Sequence, residues 1–287
     1  MPVIAVINRK GGSGKSTLAT HLAAWLAQQK VAVMLGDVDK QQSTKAWLKR
    51  RSTELPHIAP WAIDPNNVLK PPHGVTHVVL DTPGGLRGFE LARVIMSADA
   101  VLVPVCHSLF DRDSAAACLA ELNSLPRIAS GRCKLGVVGM RLDARTKAAE
   151  SLRLWALELQ QNFLGVLRET QTYVRSLDNG RTLFDAPSTH AQDLAQWEPI
   201  LNWLRPVVGL QPPAAPAPAP ELDVTNHVQS PRAASLMPAQ ESMVHGTRLT
   251  VFAGAPRTGA NEDEGLDLQR PTRPAQGNGV PQYLLRR

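Results

Sequence analysis

Residues 10–17, which read KGGSGKST, combine glycines with lysine and hydroxyl side chains in a spacing that suits phosphate binding. They follow a short β-branched apolar run at residues 3–7, which predicts a buried strand, and they precede leucines at every fourth position from 18 to 26, which predict a helix. A glycine-rich turn between a strand and a helix is the context that a phosphate loop requires, because backbone N–H groups and the helix dipole then face the anion. Lys15 would reach the β- and γ-phosphates, and the Ser16 hydroxyl would bind Mg²⁺.

The loop departs from the usual phosphate-loop pattern at its first position. That pattern has a glycine five residues before Gly14, whereas this chain has Arg9 there, followed by Lys10. Lys10 lies too far back in the loop to occupy the position of Lys15. We therefore expect the Lys10 side chain to point elsewhere.

Carboxylates follow two further predicted strands. Residues 31–36 predict a strand that leads into Asp37 and Asp39, and residues 75–80 predict one that ends at Asp81. Because ligands gather at the carboxyl ends of strands in an open parallel sheet, these acids would serve Mg²⁺ or the attacking water. The pair at 37 and 39 leaves an alternative open, since the helix start that follows it could be capped by such an acid.

Strands alternate with helices over the first 207 residues, which predicts an α/β fold of the P-loop NTPase type, with a mostly parallel sheet covered by helices on both faces. Further strands are predicted at residues 100–105, 134–140 and 163–167, and further helices at 43–48, 112–125, around Leu152 and at 190–204. We interpret residues 52–73 as an irregular connection anchored by Trp61. Gly84 and Gly85 predict a mobile turn near the γ-phosphate.

Composition changes at about residue 208, where a Pro- and Ala-rich linker begins, and we expect the remainder, 208–287, to be a disordered tail. Residues 211–287 contain seven arginines, no lysine and seven acids, so the formal net charge of +6 belongs to the preceding part. A basic folded domain favours a polyanionic partner. The three cysteines form no CxxC pair and strand residues begin at Val3, so we predict a cytoplasmic protein without a leader segment.

These motifs resemble those of the ParA/MinD family. Residues 10–17 resemble its deviant Walker A motif, and residues 37–41 are similar to its Asp-x-Asp-Pro-Gln motif, with Lys40 in place of the proline. Residues 79–84 are similar to its Walker B motif. Residues 81–85, 108–111 and 167–185 look most like MipZ and other orphan ParA-type positioning ATPases. The resemblance covers residues 1–207 and implies a ParA-type P-loop ATPase domain.

The resemblance implies an ATPase that uses ATP and Mg²⁺ and closes into a sandwich homodimer when ATP binds. Slow hydrolysis would separate the dimer and act as a timer. The implied catalytic residues are Lys10, which reaches the partner's phosphates, Lys15, and Asp39, which orients the attacking water. The implied nucleotide contacts are Gly11, Gly12, Ser13, Gly14, Lys15, Ser16 and Thr17, and the implied Mg²⁺ residues are Ser16, Asp37 and Asp81.

The resemblance also implies partners. The ATP-bound dimer would bind DNA without sequence specificity and associate with the nucleoid, and a ParB-like or cargo adaptor protein would stimulate hydrolysis. The cargo would be a plasmid, a chromosome or a protein complex. Basic residues late in the folded domain could gather on one face of the dimer and contact phosphates; they are Arg141, Arg145, Lys147, Arg153, Arg168, Arg175 and Arg181.

Two alternative functions stay open on the same fold. A MinD-like, membrane-associated positioning ATPase would need a C-terminal amphipathic helix, and residues 283–287 are too short to provide one, so we do not expect membrane binding. A small-molecule ATP-dependent enzyme is the other.

Relatives of the family that carry metal clusters require cysteine ligands, which the spacing here does not provide. Met140 stands where close relatives often have an asparagine that contacts adenine.

Overall fold

The structure is a computed structural model of the 287-residue chain, and it describes residues 1–38, 41–62 and 73–211. The strands form a single parallel sheet in the order β3-β2-β4-β1-β5-β6-β7. They are β1 (Val3–Val6), β2 (Val33–Asp37), β3 (Ile58–Ala62), β4 (His77–Asp81), β5 (Ala100–Val105), β6 (Lys134–Met140) and β7 (Asn162–Leu167). The predicted α/β class with a parallel sheet is confirmed.

Helices cover both faces of the sheet, as predicted. They are α1 (Lys15–Gln28), α2 (Ser43–Leu48), α3 (Gly88–Ser97), α4 (Leu109–Ser124), α5 (Pro126–Ala129), α6 (Lys147–Glu158), α7 (Gln171–Asp178), α8 (Ala191–Ala195) and α9 (Glu198–Leu204), with 3-10 turns at Leu183–Asp185 and Pro187–Thr189. Side chains of α1, α2, α7 and α9 line one core, and those of α3, α4 and α6 line the other.

The central strand β1 shows why its sequence is apolar throughout. Ile4 and Val6 pack into the core under α1. Val3 and Ala5 pack into the opposite core, under α3 and α4. Because successive strand residues point to opposite faces, a strand buried on both sides has no polar alternation.

The prediction of an irregular connection at residues 52–73 is wrong at Ile58–Ala62, which forms β3 and pairs with β2. Pro60 concealed this strand, and it is tolerated because β3 lies at the edge of the sheet. Trp61 is part of this strand. Helix α3 had no counterpart in the prediction, since its exposed Phe89 and Met96 obscure the helical period.

The predicted single helix at residues 190–204 is also wrong, because the chain forms two short helices, α8 and α9, separated at Gln196 and Trp197. Pro199 lies in the first turn of α9, where its missing N–H costs nothing. Trp197 is fully buried between the two helices.

Core packing continues past α9. Val208 is buried, and its carbonyl oxygen accepts a 3.0 Å hydrogen bond from Nε2 of His77 at the start of β4. Leu210 packs against the same core. The predicted boundary after residue 207 stays a prediction, and the predicted tail lies outside the described residues except for 208–211. Within the described ranges, no helix combines the length and hydropathy that a bilayer crossing requires.

Candidate nucleotide site

The predicted phosphate loop lies between β1 and α1, at the carboxyl edge of the sheet. Gly12 and Gly14 adopt φ values of +74° and +94°, a left-handed conformation that L side chains rarely adopt. Gly14 is the N-cap of α1 and brings no side-chain cap to it. The first N–H groups of α1 are therefore available to an anion, together with the positive end of the helix dipole.

Contacts from neighbouring segments hold the loop in shape. Asn8 is buried; its side-chain amide donates to the carbonyl oxygen of Pro104 at 2.6 Å, and its Oδ1 accepts from the backbone N–H of Lys10 at 3.0 Å. Lys15 Nζ donates to the Lys10 carbonyl oxygen at 3.1 Å. The buried Ser13 hydroxyl has no hydrogen-bond partner among the described residues, which fits a loop shaped around a polar ligand.

Met140 lies against Gly14. A Cβ built on Gly14 would come within 2.7 Å of the Met140 Cε atom. The Met140 side chain is buried, so it closes the space beside the loop from the end of β6. Even without its left-handed backbone, Gly14 could not be replaced unless Met140 moved.

The predicted carboxylates at strand ends meet as expected. The β2–β4 register places Asp37 opposite Asp81, and both are 2% exposed. Oδ2 of Asp37 accepts hydrogen bonds from Thr44 N (3.0 Å), Thr44 Oγ1 (2.8 Å) and Lys45 N (3.2 Å), so it caps α2, as the alternative reading anticipated. The Mg²⁺ role of Asp37 stays a prediction. Asp39 lies outside the described residues.

The Gly84–Gly85 turn packs directly on the phosphate loop. The Gly85 N–H donates to the Arg9 carbonyl oxygen at 2.7 Å. A Cβ built on Gly84 would lie 3.4 Å from that oxygen and 3.5 Å from the backbone nitrogen of Gly11. The turn that follows Asp81 is therefore in contact with the residues that would surround the phosphates.

Lys10 points away from the position of Lys15. Its ammonium forms an ion pair with Asp111, in the first turn of α4. Burial alone would raise the pKa of Asp111, but hydrogen bonds from Lys10 and Ser108 lower it below its usual range. The Lys10 side chain remains 39% exposed. Sequence reasoning did not find Asp111, although the family-like segment 108–111 was a signal for it.

The predicted DNA-contacting residues include members on helices on both sides of the sheet. The helix α6, which carries Lys147 and Arg153, lies on one side of the sheet, and α7, which carries Arg175, lies on the other. Three of these cations have carboxylate partners: Arg145 with Asp143 at 3.1 Å, Arg153 with Glu150 at 2.8 Å, and Arg168 with Asp193. Arg141 adopts φ +60° at the end of β6. The DNA role of the set stays a prediction.

Residues 4–183 match the family model of the CobQ/CobB/MinD/ParA nucleotide binding domain. The chain belongs to this family. Over 104 residues it is 39% identical to the maintenance of carboxysome distribution protein A of Gloeobacter kilaueensis, a match that spans 36% of this chain and 48% of that protein. Over 108 residues it is 32% identical to protein ParA of Rhizobium radiobacter, spanning 37% of this chain and 49% of that protein. The matches thus span about half the length of these curated relatives.

Comparison with a solved structure supports the fold of this chain independently of the sequence matches. A variant of Cyanothece McdA bound to ATP is 16% identical and aligns with a TM-score of 0.57, covering 75% of this chain and 99% of that one. The predicted P-loop NTPase fold and ParA/MinD family are therefore confirmed, and with them a nucleotide-binding domain. The roles of the individual site residues stay predictions.

Proposed function

We propose that this chain is a ParA-type ATPase that closes into a sandwich homodimer with ATP, binds DNA without sequence specificity and positions a cellular cargo, with slow hydrolysis as its timer. The observation that carries the proposal is the placement of Lys10. Its ammonium leaves the loop, remains partly exposed and is held by Asp111 rather than by the loop itself. A lysine in that place is available to a phosphate from outside the chain.

The phosphates would be bound by the loop N–H groups, the N-terminus of α1 and Lys15. Ser16, Asp37 and Asp81 would hold Mg²⁺, whose charge would offset that of the phosphates. The two buried carboxylates that face each other across β2 and β4 supply oxygen ligands of the kind Mg²⁺ prefers. Asp39 would orient the attacking water.

Lys10 must leave Asp111 before it can reach the partner's nucleotide. The pair is partly exposed, with Lys10 at 39% and Asp111 at 15%, and a solvent-screened pair contributes on the order of 1 kcal/mol, so little free energy opposes its opening. A charge-assisted hydrogen bond to a phosphate of the partner's ATP is stronger and would replace it. Dimerisation would thus follow from ATP binding without any rearrangement of the sheet.

The names of two relatives support the proposal of a positioning role. One is described as maintaining carboxysome distribution, and the other is a ParA. Because the matches cover about half of each relative, we propose a plasmid, a chromosome or a protein complex as cargo without choosing among them. A ParB-like or cargo adaptor protein would stimulate hydrolysis.

Two lysine substitutions test the dimer. Lys15→Ala should abolish ATP binding, whereas Lys10→Ala should leave ATP affinity nearly unchanged and prevent dimerisation with a non-hydrolysable ATP analogue. Affinity by calorimetry and size by light scattering give the two readouts. Lys49→Ala, an exposed lysine just after α2, is the matched control and should behave as the wild type. Analogue-dependent dimers of Lys10→Ala would refute the proposed role of Lys10.

A mobility-shift experiment tests the DNA partner. The wild type should retard duplex DNA of arbitrary sequence with ATP but not ADP, and binding should weaken steeply as salt rises, because each phosphate contact releases counterions. No ATP-dependent shift at low salt would contradict the DNA proposal. ATP-dependent binding to anionic vesicles instead would favour the MinD-like alternative.

A further inference from the structure

Glu121, in the fourth turn of α4, joins two segments that flank the nucleotide site. Its Oε2 atom forms an ion pair with the guanidinium of Arg9, the residue that takes the place of the expected glycine. Its Oε1 atom accepts a 2.6 Å hydrogen bond from the backbone N–H of Gly88, the first residue of α3. Both side chains are partly buried.

The bond to Gly88 acts as a helix cap supplied by another helix. The residue before α3, Arg87, makes no side-chain cap, so the first N–H groups of α3 lack partners within their own segment. A carboxylate at a helix N-terminus is also favoured by the helix dipole. The start of α3 is therefore anchored to α4 by Glu121.

The backbone of Arg9 anchors the other end of the same connection. Its carbonyl oxygen accepts a 2.7 Å hydrogen bond from the Gly85 N–H. The four residues from Gly85 to Gly88 are thus attached to Arg9 at one end through its carbonyl and at the other through Glu121. Neither end of this connection can shift without loosening a contact that includes the phosphate loop.

The same helix holds both cations at the start of the loop, since Asp111 takes Lys10 and Glu121 takes Arg9. The two pairs differ in one respect. The Lys10–Asp111 pair lies apart from the connection at residues 85–88, whereas the Arg9–Glu121 pair is linked to α3 by the hydrogen bond between Gly88 and Glu121. Opening of the first pair would leave the second in place.

We infer that Glu121 is a positioning residue that couples the phosphate loop to α3, so that the nucleotide bound by the loop sets the conformation of residues 85–88 and the position of α3. The inference rests on the proposed function, because it requires that the loop bind ATP. Helix α3 carries Phe89 and Met96, which are 77% and 72% exposed. The coupling therefore transmits the state of the nucleotide to an apolar helix face on the outside of the molecule.

Hydrogen–deuterium exchange of residues 84–97, with and without a non-hydrolysable ATP analogue, tests the coupling. In the wild type the analogue should slow exchange in this segment. Glu121→Ala, which removes both contacts, should lose this protection and lower the hydrolysis rate on the order of 10-fold, while its ATP affinity stays within about 3-fold of the wild type. Glu121→Gln keeps an acceptor for Gly88 but loses the charge, and should lie between the two.

Glu150→Gln is the matched control, since it weakens an exposed ion pair on α6 that does not touch the loop. A structural role alone would lower the melting temperature of the Glu121 variants and leave the nucleotide-dependent protection intact, and that result would overturn the inference. If the alanine variant does not fold, full protection in Glu121→Gln with wild-type hydrolysis would do the same. Absence of ATP binding by the wild type would instead overturn the proposed function and the inference with it.

Discussion

His21 follows the phosphate loop by one helical turn and is fully buried. Its Nδ1 donates to the carbonyl oxygen of Thr17 at 2.8 Å, and its ring stacks on Trp197 with the centroids 5.3 Å apart. Nε2 has no hydrogen-bond partner among the described residues. Burial lowers the pKa of His21 to about 4, although the bond to Thr17 acts in the opposite direction. The imidazole is therefore neutral at pH 7.

This burial makes the free energy of unfolding depend on pH. Since the pKa of His21 is lower in the folded state than its value of 6.5 in the unfolded chain, the unfolded state binds more protons below that pH, and stability falls as pH drops from 6.5 towards 4. The loss at pH 5 should be about 2 kcal/mol relative to pH 7. Urea unfolding at both pH values should show a smaller loss for His21→Phe. Equal losses in both proteins would contradict this.

The ion pair between Lys10 and Asp111 predicts the effect of releasing the lysine. With the proposed dimer, Asp111→Asn should raise the fraction of dimer at limiting ATP analogue by about 2- to 5-fold, because the free energy of opening this partly exposed pair is no longer required. Analytical ultracentrifugation measures the fraction. Asp113→Asn, an exposed acid on the same helix, should have no effect. Weaker dimerisation of Asp111→Asn would mean that Asp111 itself supports the dimer.

Among the elements, the segment just after α2 is attached to the turn at Leu183–Asp185 by a buried ion pair. Arg51 donates to both carboxylate oxygens of Asp185, at 2.9 Å and 2.8 Å, and the two side chains are 5% and 0% exposed. Arg51→Ala would leave a buried carboxylate without its cation and should destabilise the fold by about 3 kcal/mol. Urea unfolding measures this, and Arg153→Ala, which breaks an exposed pair, should cost far less. If both variants lost a similarly small free energy of unfolding, the hydrogen bonds that Thr182 and Gln28 donate to Asp185 would be enough to stabilise its buried carboxylate.

Elements were predictable where a local pattern determined them. The bounds of β5, β6 and α2 agree with their apolar runs and helix signals. The edge strand β3 was missed because Pro60 argues against a strand unless its edge position is known. Helix α3 was missed because its most exposed side chains are apolar, so sequence periodicity did not separate an inner from an outer face.

The candidate site, too, was predictable only where a local sequence pattern determines it. The loop and the acids at strand ends follow from residue type and the strand that precedes them. The contacts of Glu121 were not predictable, because Arg9 and Glu121 are 112 residues apart and meet only through the packing of α4 beside the loop. A polar residue on a helix surface carries no sequence signal of the partner it will find.

For the whole molecule, the ion pairs predict which cations would contribute most to the proposed DNA binding. Within the described residues, Lys147 has no carboxylate partner, whereas Arg153 shares its charge with Glu150. Lys147→Ala should therefore weaken ATP-dependent DNA binding and reduce the slope of log affinity against log salt by about 1 per protomer, and Arg153→Ala should change both less. Mobility shifts over a salt series compare them. A larger effect of Arg153→Ala would place the DNA elsewhere on α6.

The phosphate loop owes its shape to the ends of three other strands. Pro104 of β5 accepts from Asn8, Met140 of β6 fills the space beside Gly14, and Gly85, just after β4, donates to Arg9. A peptide that spans β1, the loop and α1 would keep every residue of the motif and none of these contacts. Grafting the loop into a foreign scaffold would fail for the same reason. Nucleotide affinity therefore depends on the assembly of the central strands. A nucleotide-binding assay can consequently follow the refolding of this domain.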